Sequence, residues 1–400
     1  MDQMKKLVLF GAGKIGRSFV AQLFSQAGWE VMFIDLQEGI VQEINKKGKY
    51  QVIIRSAKDT VLEVKHVRAL LLTEKEAVTR EIMEADLLAV TVGQNGLGAA
   101  MEAIAAGLIA RYNKDPECKT DIIIAENIKN AAEYFKEELY SFLPVNYPLN
   151  QLVGLVETCI EKMVPLMSDE EIGQDPLRVY AESFNTLVLD GIAFKNLRPE
   201  VPGLSYVENI RAWIDRKSFI HNLGHAATAY LGYLYNPALK YTWEVLEIKT
   251  LYDEIRLTMM QAALILEHMY PAEFNMPGLE EYIDSLLLRF RNRFLGDTLY
   301  RVGCDLFRKL GPSERISGTI RSGLELGFPV DKILFVLVAG IYFRATSEEG
   351  NLLGSDELFH RRYQHRLEPI LREVCGFDEE IFGSLYRKAR DFNMQIQGLA

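Results

Sequence analysis

The segment Gly11-Ala-Gly13-Lys-Ile-Gly16 constrains the fold more than any other part of the chain. It follows Lys6–Phe10, a short apolar run of strand type. It precedes positions 16–27, where Phe19, Val20, Leu23, Phe24 and Ala27 recur at helical spacing. Three glycines in a strand–turn–helix context predict a phosphate-binding turn. Gly11 allows the tight turn, Gly13 lets backbone approach a pyrophosphate, and Gly16 lets helix pack close to strand. The helix opens at Lys14 and Ile15, and its unpaired N–H groups would face the phosphates. Asp35 closes the next strand-type run, Val31–Ile34. A carboxylate there accepts bonds from ribose hydroxyls and repels a 2′-phosphate. Leu36, not arginine, follows it. The expected cofactor is therefore NAD rather than NADP. The competing reading is a glycine-rich turn beside a solvated aspartate.

The pattern continues as alternating strands and helices. Positions 50–54 and 61–64 read as a hairpin insertion. Positions 67–72, 86–92 and 121–125 read as further strands, and 152–156 and 179–183 as extensions of the same sheet. Two loops, Val92-Gly93-Gln94-Asn95-Gly96 and Glu126-Asn127, fall at strand ends, where ligands bind in doubly wound sheets. Val92 and Gly93 are thus further candidates for the cofactor site, although ordinary turns use the same residues. Pro199, Pro202 and Gly203 mark a loop, and the domain boundary is placed there. Beyond it, helix-spaced segments cover 206–234, 243–269, 277–293, 296–310, 330–345, 356–374 and 378–396. The expected architecture is an α/β Rossmann-like doubly wound domain over 1–198 and an all-α domain over 199–400.

Charge narrows the partners. Lys plus Arg total 45 and Asp plus Glu 55, a net charge of −10. Such a chain is a poor counter-ion for nucleic acid or a membrane surface. Cys118, Cys159, Cys304 and Cys375 form no CxxC pair, and no Cys/His cluster suggests zinc. Free thiols and the lack of a signal-peptide pattern point to the cytoplasm. Positions 218–239 carry no formal charge, a run long enough to raise the question of a membrane span. His221, Asn222, His225, Asn236 and Pro237 within it favour a buried helix of a soluble protein instead.

The start of that run carries chemistry. At about 100° per residue, with Lys217 at zero, His221 falls near 40°, His225 near 80° and Asn222 near 140°. A lysine, an amide and imidazoles then share one side of an uncharged helix. Lysine serves as a base near neutral pH only when burial or a neighbouring cation lowers its pKa. The bland alternatives are a core histidine and a lysine whose stem reaches solvent.

Lys217–four residues–Asn222–two residues–His225 resembles the signature of the polyol-specific long-chain dehydrogenases, the mannitol dehydrogenase family. The likeness extends over Phe10–Arg17, Ala125-Glu-Asn127, Ile160–Pro165, Val201-Pro-Gly203 and Arg301–Leu310. It implies a metal-independent enzyme that moves a hydride between NAD and a sugar alcohol or ketose. Lys217 would be the general base. Asn222 and Asn127 would hydrogen-bond the developing alkoxide, and His225 would position the reacting oxygen. The chain is most similar to the branch using phosphorylated substrates. Free-mannitol and hexuronate branches are alternatives, as is a non-catalytic NAD-sensing protein. Glu161 and Lys162 stand where the family usually has Asp-Arg; they are substrate-site candidates. Arg301, Arg308, Lys309, Arg315 and Arg321 form the densest basic stretch. The first three are the leading candidates for a phosphate clamp, against the alternative of a solvated helix face.

Overall fold

The computed structural model describes residues 4–165, 167 and 169–399. The chain divides into two compact units, Met1–Ile210 and Arg211–Ala400.

The first unit is built on β1 (Lys6–Phe10), β2 (Glu30–Asp35), β3 (Lys49–Ile54), β4 (Thr60–Lys65), β5 (Val67–Leu71), β6 (Leu87–Val90), β7 (Thr120–Ile124), β8 (Val153–Cys159), β9 (Val179–Ala181), β10 (Leu187–Asp190) and β11 (Leu204–Val207). Among the described residues, eight of these form one sheet in the order β11-β10-β8-β7-β6-β1-β2-β5. From β8 to β5 all neighbours are parallel. With the β3–β4 hairpin set aside, the order is that of a doubly wound Rossmann-type sheet, which reverses between β1 and β6. The strands are apolar on both faces because both are covered. Leu7 and Leu9 of β1 enter one core, Val8 and Phe10 the other, and none is more than 1% exposed.

Two expectations change here. Positions 179–183 were expected to extend the main sheet. Instead β9 pairs in parallel with β3 in a separate three-stranded sheet, β4-β3-β9. The main sheet is extended by β10 and β11, two four-residue strands that periodicity does not single out. The loop at 195–203 therefore joins neighbouring strands. The buried Asp121 carboxylate fastens it, accepting the Lys195 and Asn196 N–H groups at 2.7 and 3.0 Å. The boundary expected at 198/199 lies inside this loop, and the compact units part after Ile210.

The second unit is helical. The segment expected at 206–234 starts only at Ile210 and runs as Ile210–Arg216, a π turn Lys217–Asn222, and Leu223–Tyr235. Its last stretch is buried and packs on Lys249–Met269, Leu299–Gly303 and Asp331–Ile341, which explains its missing charges. Among the described residues no helix is long and apolar enough to cross a membrane. The segment expected at 243–269 breaks at Ile248, which is extended. The one expected at 296–310 splits into Leu299–Gly303 and Leu306–Lys309. Cys304 is extended and Asp305 has φ +77. The buried Asp356 carboxylate stabilises this break by accepting the Asp305 and Leu306 N–H groups at 2.8 and 2.7 Å. The 356–374 segment is interrupted by the left-handed pair Gln364 and His365.

Candidate active site

In the first unit, the glycine turn lies at the reversal point of the sheet. Gly11 has φ +98, and a Cβ there would meet the Thr91 carbonyl oxygen at 2.5 Å. At Gly16 a Cβ would stand 2.2 Å from the Gly11 carbonyl oxygen, so this position closes the turn against itself. A Cβ on Gly13 would meet nothing within 4 Å, which leaves its backbone approachable. Lys14 and Ile15 form the first helical residues, and the helix continues as a π segment, Gly16–Val20. Asp35 braces the turn: its Oδ2 accepts the Ala12 N–H at 2.6 Å and its Oδ1 the Gln37 N–H at 2.8 Å. Gly11, Gly13, Asp35, Leu36, Thr91 and Val92 help to line a cavity of about 250 Å³.

Gly93 sits beside this cavity with φ +70, and its N–H donates to Glu126 Oε1 at 2.8 Å. Burial pushes the Glu126 carboxyl above its ordinary pKa, against the backbone donors that favour the anion. Sequence reasoning noted Glu126 only as a loop residue. It links the ends of β6 and β7, and Asn127 follows it in an exposed position. Glu161 and Lys162 lie just after β8, both buried. The Lys162 ammonium donates to Asn185 Oδ1 at 2.7 Å and stands 5.1 Å from the Phe19 ring centre.

In the second unit, Lys217 and Asn222 bound a π turn in which the Leu223 N–H reaches back to the Ser218 carbonyl. The angles expected for a regular α-helix therefore do not hold across it. A bond spanning five residues widens the turn and brings positions five apart toward one face. Lys217, Asn222 and His225 are each partly buried. His225 stacks on Phe290, with ring centres 3.8 Å apart, and His221 meets His225 edge-on at 5.0 Å. Burial holds both imidazoles well below their ordinary pKa, and neighbouring cations add to it. For His225 these are Arg301, Arg315, Arg289 and Lys309.

Two of the three clamp candidates therefore join the His225 environment. Arg301 pairs with the buried Asp297, and its guanidinium is pushed down by burial. Lys309 is 6% exposed and donates to the Val302 carbonyl at 2.5 Å. Burial, with the charge of Arg315, lowers its ammonium to a pKa of about 8. Arg308 is half-exposed and bonded to Asp305 at 2.5 Å. Arg321 bonds the Gly376 carbonyl and stacks on Phe377. Arg315 takes their place: its side chain is 11% exposed, it reaches Glu314 at 3.3 Å, and its Nε has no hydrogen-bond partner among the described residues. Arg289 and Phe290 were missed entirely; nothing in their local spacing ties a helix end at 290 to residue 225. Among the described residues no group of three or more His, Cys, Asp or Glu is arranged to hold a metal ion.

A parallel sheet with a glycine turn at its reversal point, followed by a helical unit with a lysine–amide–histidine set, defines a two-domain protein of the Rossmann class. Two family models match the chain, the mannitol dehydrogenase Rossmann domain over residues 5–203 and the mannitol dehydrogenase C-terminal domain over 209–371. The protein belongs to the mannitol dehydrogenase family. Its fold is also that of Pseudomonas fluorescens mannitol 2-dehydrogenase, solved in a ternary complex with NAD and D-mannitol. That structure matches at 15% identity and a TM-score of 0.71, over 100% of this chain and 91% of the other. A D-sorbitol dehydrogenase in substrate-free form matches at 18% identity and a TM-score of 0.82, over 99% and 94%.

Proposed function

We propose that the protein is an NAD-dependent mannitol-1-phosphate 5-dehydrogenase, interconverting mannitol 1-phosphate and fructose 6-phosphate. One observation supports the phosphate assignment: the positive charges of Arg289, Arg301, Lys309 and Arg315 all bear on His225. Cations gathered at one place suit a phosphate monoester, which they hold by charge-assisted hydrogen bonds, bidentate ones from arginine.

The first unit fits the cofactor. Gly13 leaves room for a pyrophosphate, the helix from Lys14 offers its N–H groups, and Asp35 lines the cavity where a ribose would sit. When bound, the nicotinamide supplies the hydride acceptor or donor. In oxidation, Lys217 Nζ takes the proton of the reacting hydroxyl, and Asn222 hydrogen-bonds the oxygen as its charge develops. The family likeness assigns Asn127 the same hydrogen-bonding role. His225, kept neutral by burial, orients that oxygen without adding a charge.

Purified protein is expected to oxidise NADH with fructose 6-phosphate. Turnover of free fructose or a hexuronate, with none of the phosphate ester, would replace this assignment with the corresponding branch of the family. NADH binding without turnover of any of them would leave a cofactor-sensing protein. A second expectation concerns the ribose. Asp35→Ser with Leu36→Arg should raise the ratio of NADPH to NADH use. Total affinity should fall, because the Ala12 N–H loses its acceptor. An unchanged ratio would mean that Asp35 only braces the glycine turn.

A further inference from the structure

His221 is buried, 4% exposed, yet its Nδ1 has no hydrogen-bond partner among the described residues. Leaving a polar atom unpaired in a protein interior costs free energy. An aliphatic side chain would fill the space without that cost, so the filling of space alone does not account for an aromatic ring here.

The adjacent ring supplies a reason. A histidine that presents one nitrogen to a substrate is normally held by a hydrogen bond from its other nitrogen. The buried Nε2 of His225 has no hydrogen-bond partner among the described residues. Rings hold it. Phe290 stacks on it at 3.8 Å with 24° between planes, and His221 meets it at 5.0 Å with 72° between planes. His221 and Phe290 also touch, at 5.4 Å and 54°. The three rings form one cluster, with the edge-to-face and offset contacts that aromatic quadrupoles favour. His221 reaches His225 from four residues earlier, across the end of the π turn, and Phe290 comes from the helix Met276–Phe290.

We infer that His221 is a positioning residue: its ring, with that of Phe290, fixes the tilt of the His225 imidazole. The inference rests on the reading of His225 as the group that orients the reacting oxygen. An ångström of misplacement at such a group costs up to about 100-fold in rate. His221→Leu removes the ring and should lower kcat about 10- to 100-fold. NADH affinity and melting temperature should hold, since an unpaired nitrogen is replaced by an apolar group. His221→Phe keeps a ring edge and should restore most of kcat. Phe290→Leu should produce the same loss, and the double variant should fall by less than the product of the single losses, because both act through one ring.

Steady-state kinetics of these four variants, with His225→Ala as reference, decide the matter. Loss in His221→Leu with recovery in His221→Phe supports the proposal. Parent-like kcat in His221→Leu, or equal loss in the leucine and phenylalanine variants, overturns it. If His221→Leu does not fold, Phe290→Leu and His221→Phe still decide: parent-like kcat in the former, or a deep loss in the latter, overturns the proposal. Unaltered turnover in His225→Ala would instead overturn the underlying reading of His225, a result separable from failure at His221.

Discussion

Lys217→Ala is expected to lower kcat about 100- to 10,000-fold, the range over which a positioned general base contributes. NADH affinity should change little, because Lys217 is not among the residues assigned to hold the cofactor, Gly11, Gly13 and Asp35. The loss should appear in kcat and kcat/KM together, as for a group acting only in the transition state. Lys217→Arg tests the distinction between base and charge. An arginine keeps the positive charge and does not deprotonate, so it should be nearly as inactive as alanine. Turnover in Lys217→Arg close to that of the parent would remove Lys217 from the base role.

Arg315→Ala and Lys309→Ala should each raise KM for fructose 6-phosphate about 10- to 150-fold. That is the equivalent of losing one hydrogen bond to a charged group at about 1.5–3 kcal/mol. The KM for any free ketose turned over should change little. Arg308→Ala is the control, since that side chain is spent on Asp305 at the surface and should have a near-normal KM. The Lys309 pKa of about 8 adds a pH signature. Below about 8 the ammonium is charged, and above it the charge is lost. A phosphate monoester is mostly dianionic above its second pKa of about 6. KM for the phosphorylated ketose should therefore be lowest between about 6 and 8 and rise at higher pH. Lys309→Arg, which holds its charge throughout, should flatten that rise. A KM for the phosphate ester indifferent to both Arg315 and Lys309 would remove the basis of the phosphate assignment.

The parts of this protein that local physics dictates were legible in the sequence. Gly11, Gly13 and Gly16 announce their turn because backbone conformation and close approach require them. β1, β2, β6 and β7 read as continuous apolar runs because both sheet faces are covered. Lys217, Asn222 and His225 stood out against an uncharged background. What escaped depends on distant partners. β10 and β11 are too short for a period-two pattern and exist through pairing. The split at Cys304–Asp305 depends on Asp356, some 50 positions away in sequence. Arg308 and Arg315 look alike in sequence, yet Arg308 is half-exposed and paired with Asp305, while the Arg315 side chain is mostly covered. The π turn cannot be seen by a method that assumes 3.6 residues per turn.

That turn has a consequence for how the two ends of the helix are phased. A π turn behaves as one surplus residue absorbed within a helix. Ile210–Arg216 on one side and Leu223–Tyr235 on the other each keep their own packing only because the surplus sits between them. Excising a single residue such as Ser218 would let the segment close as an ordinary α-helix, with every hydrogen bond intact. Keeping that residue while forcing the segment to an ordinary 3.6 residues per turn would instead rotate everything before it by about 100° relative to His225. The lysine and the histidine would then face different directions on a helix of undiminished regularity. In this segment, spacing along the chain and direction in space are separate quantities, and the chemistry depends on the second.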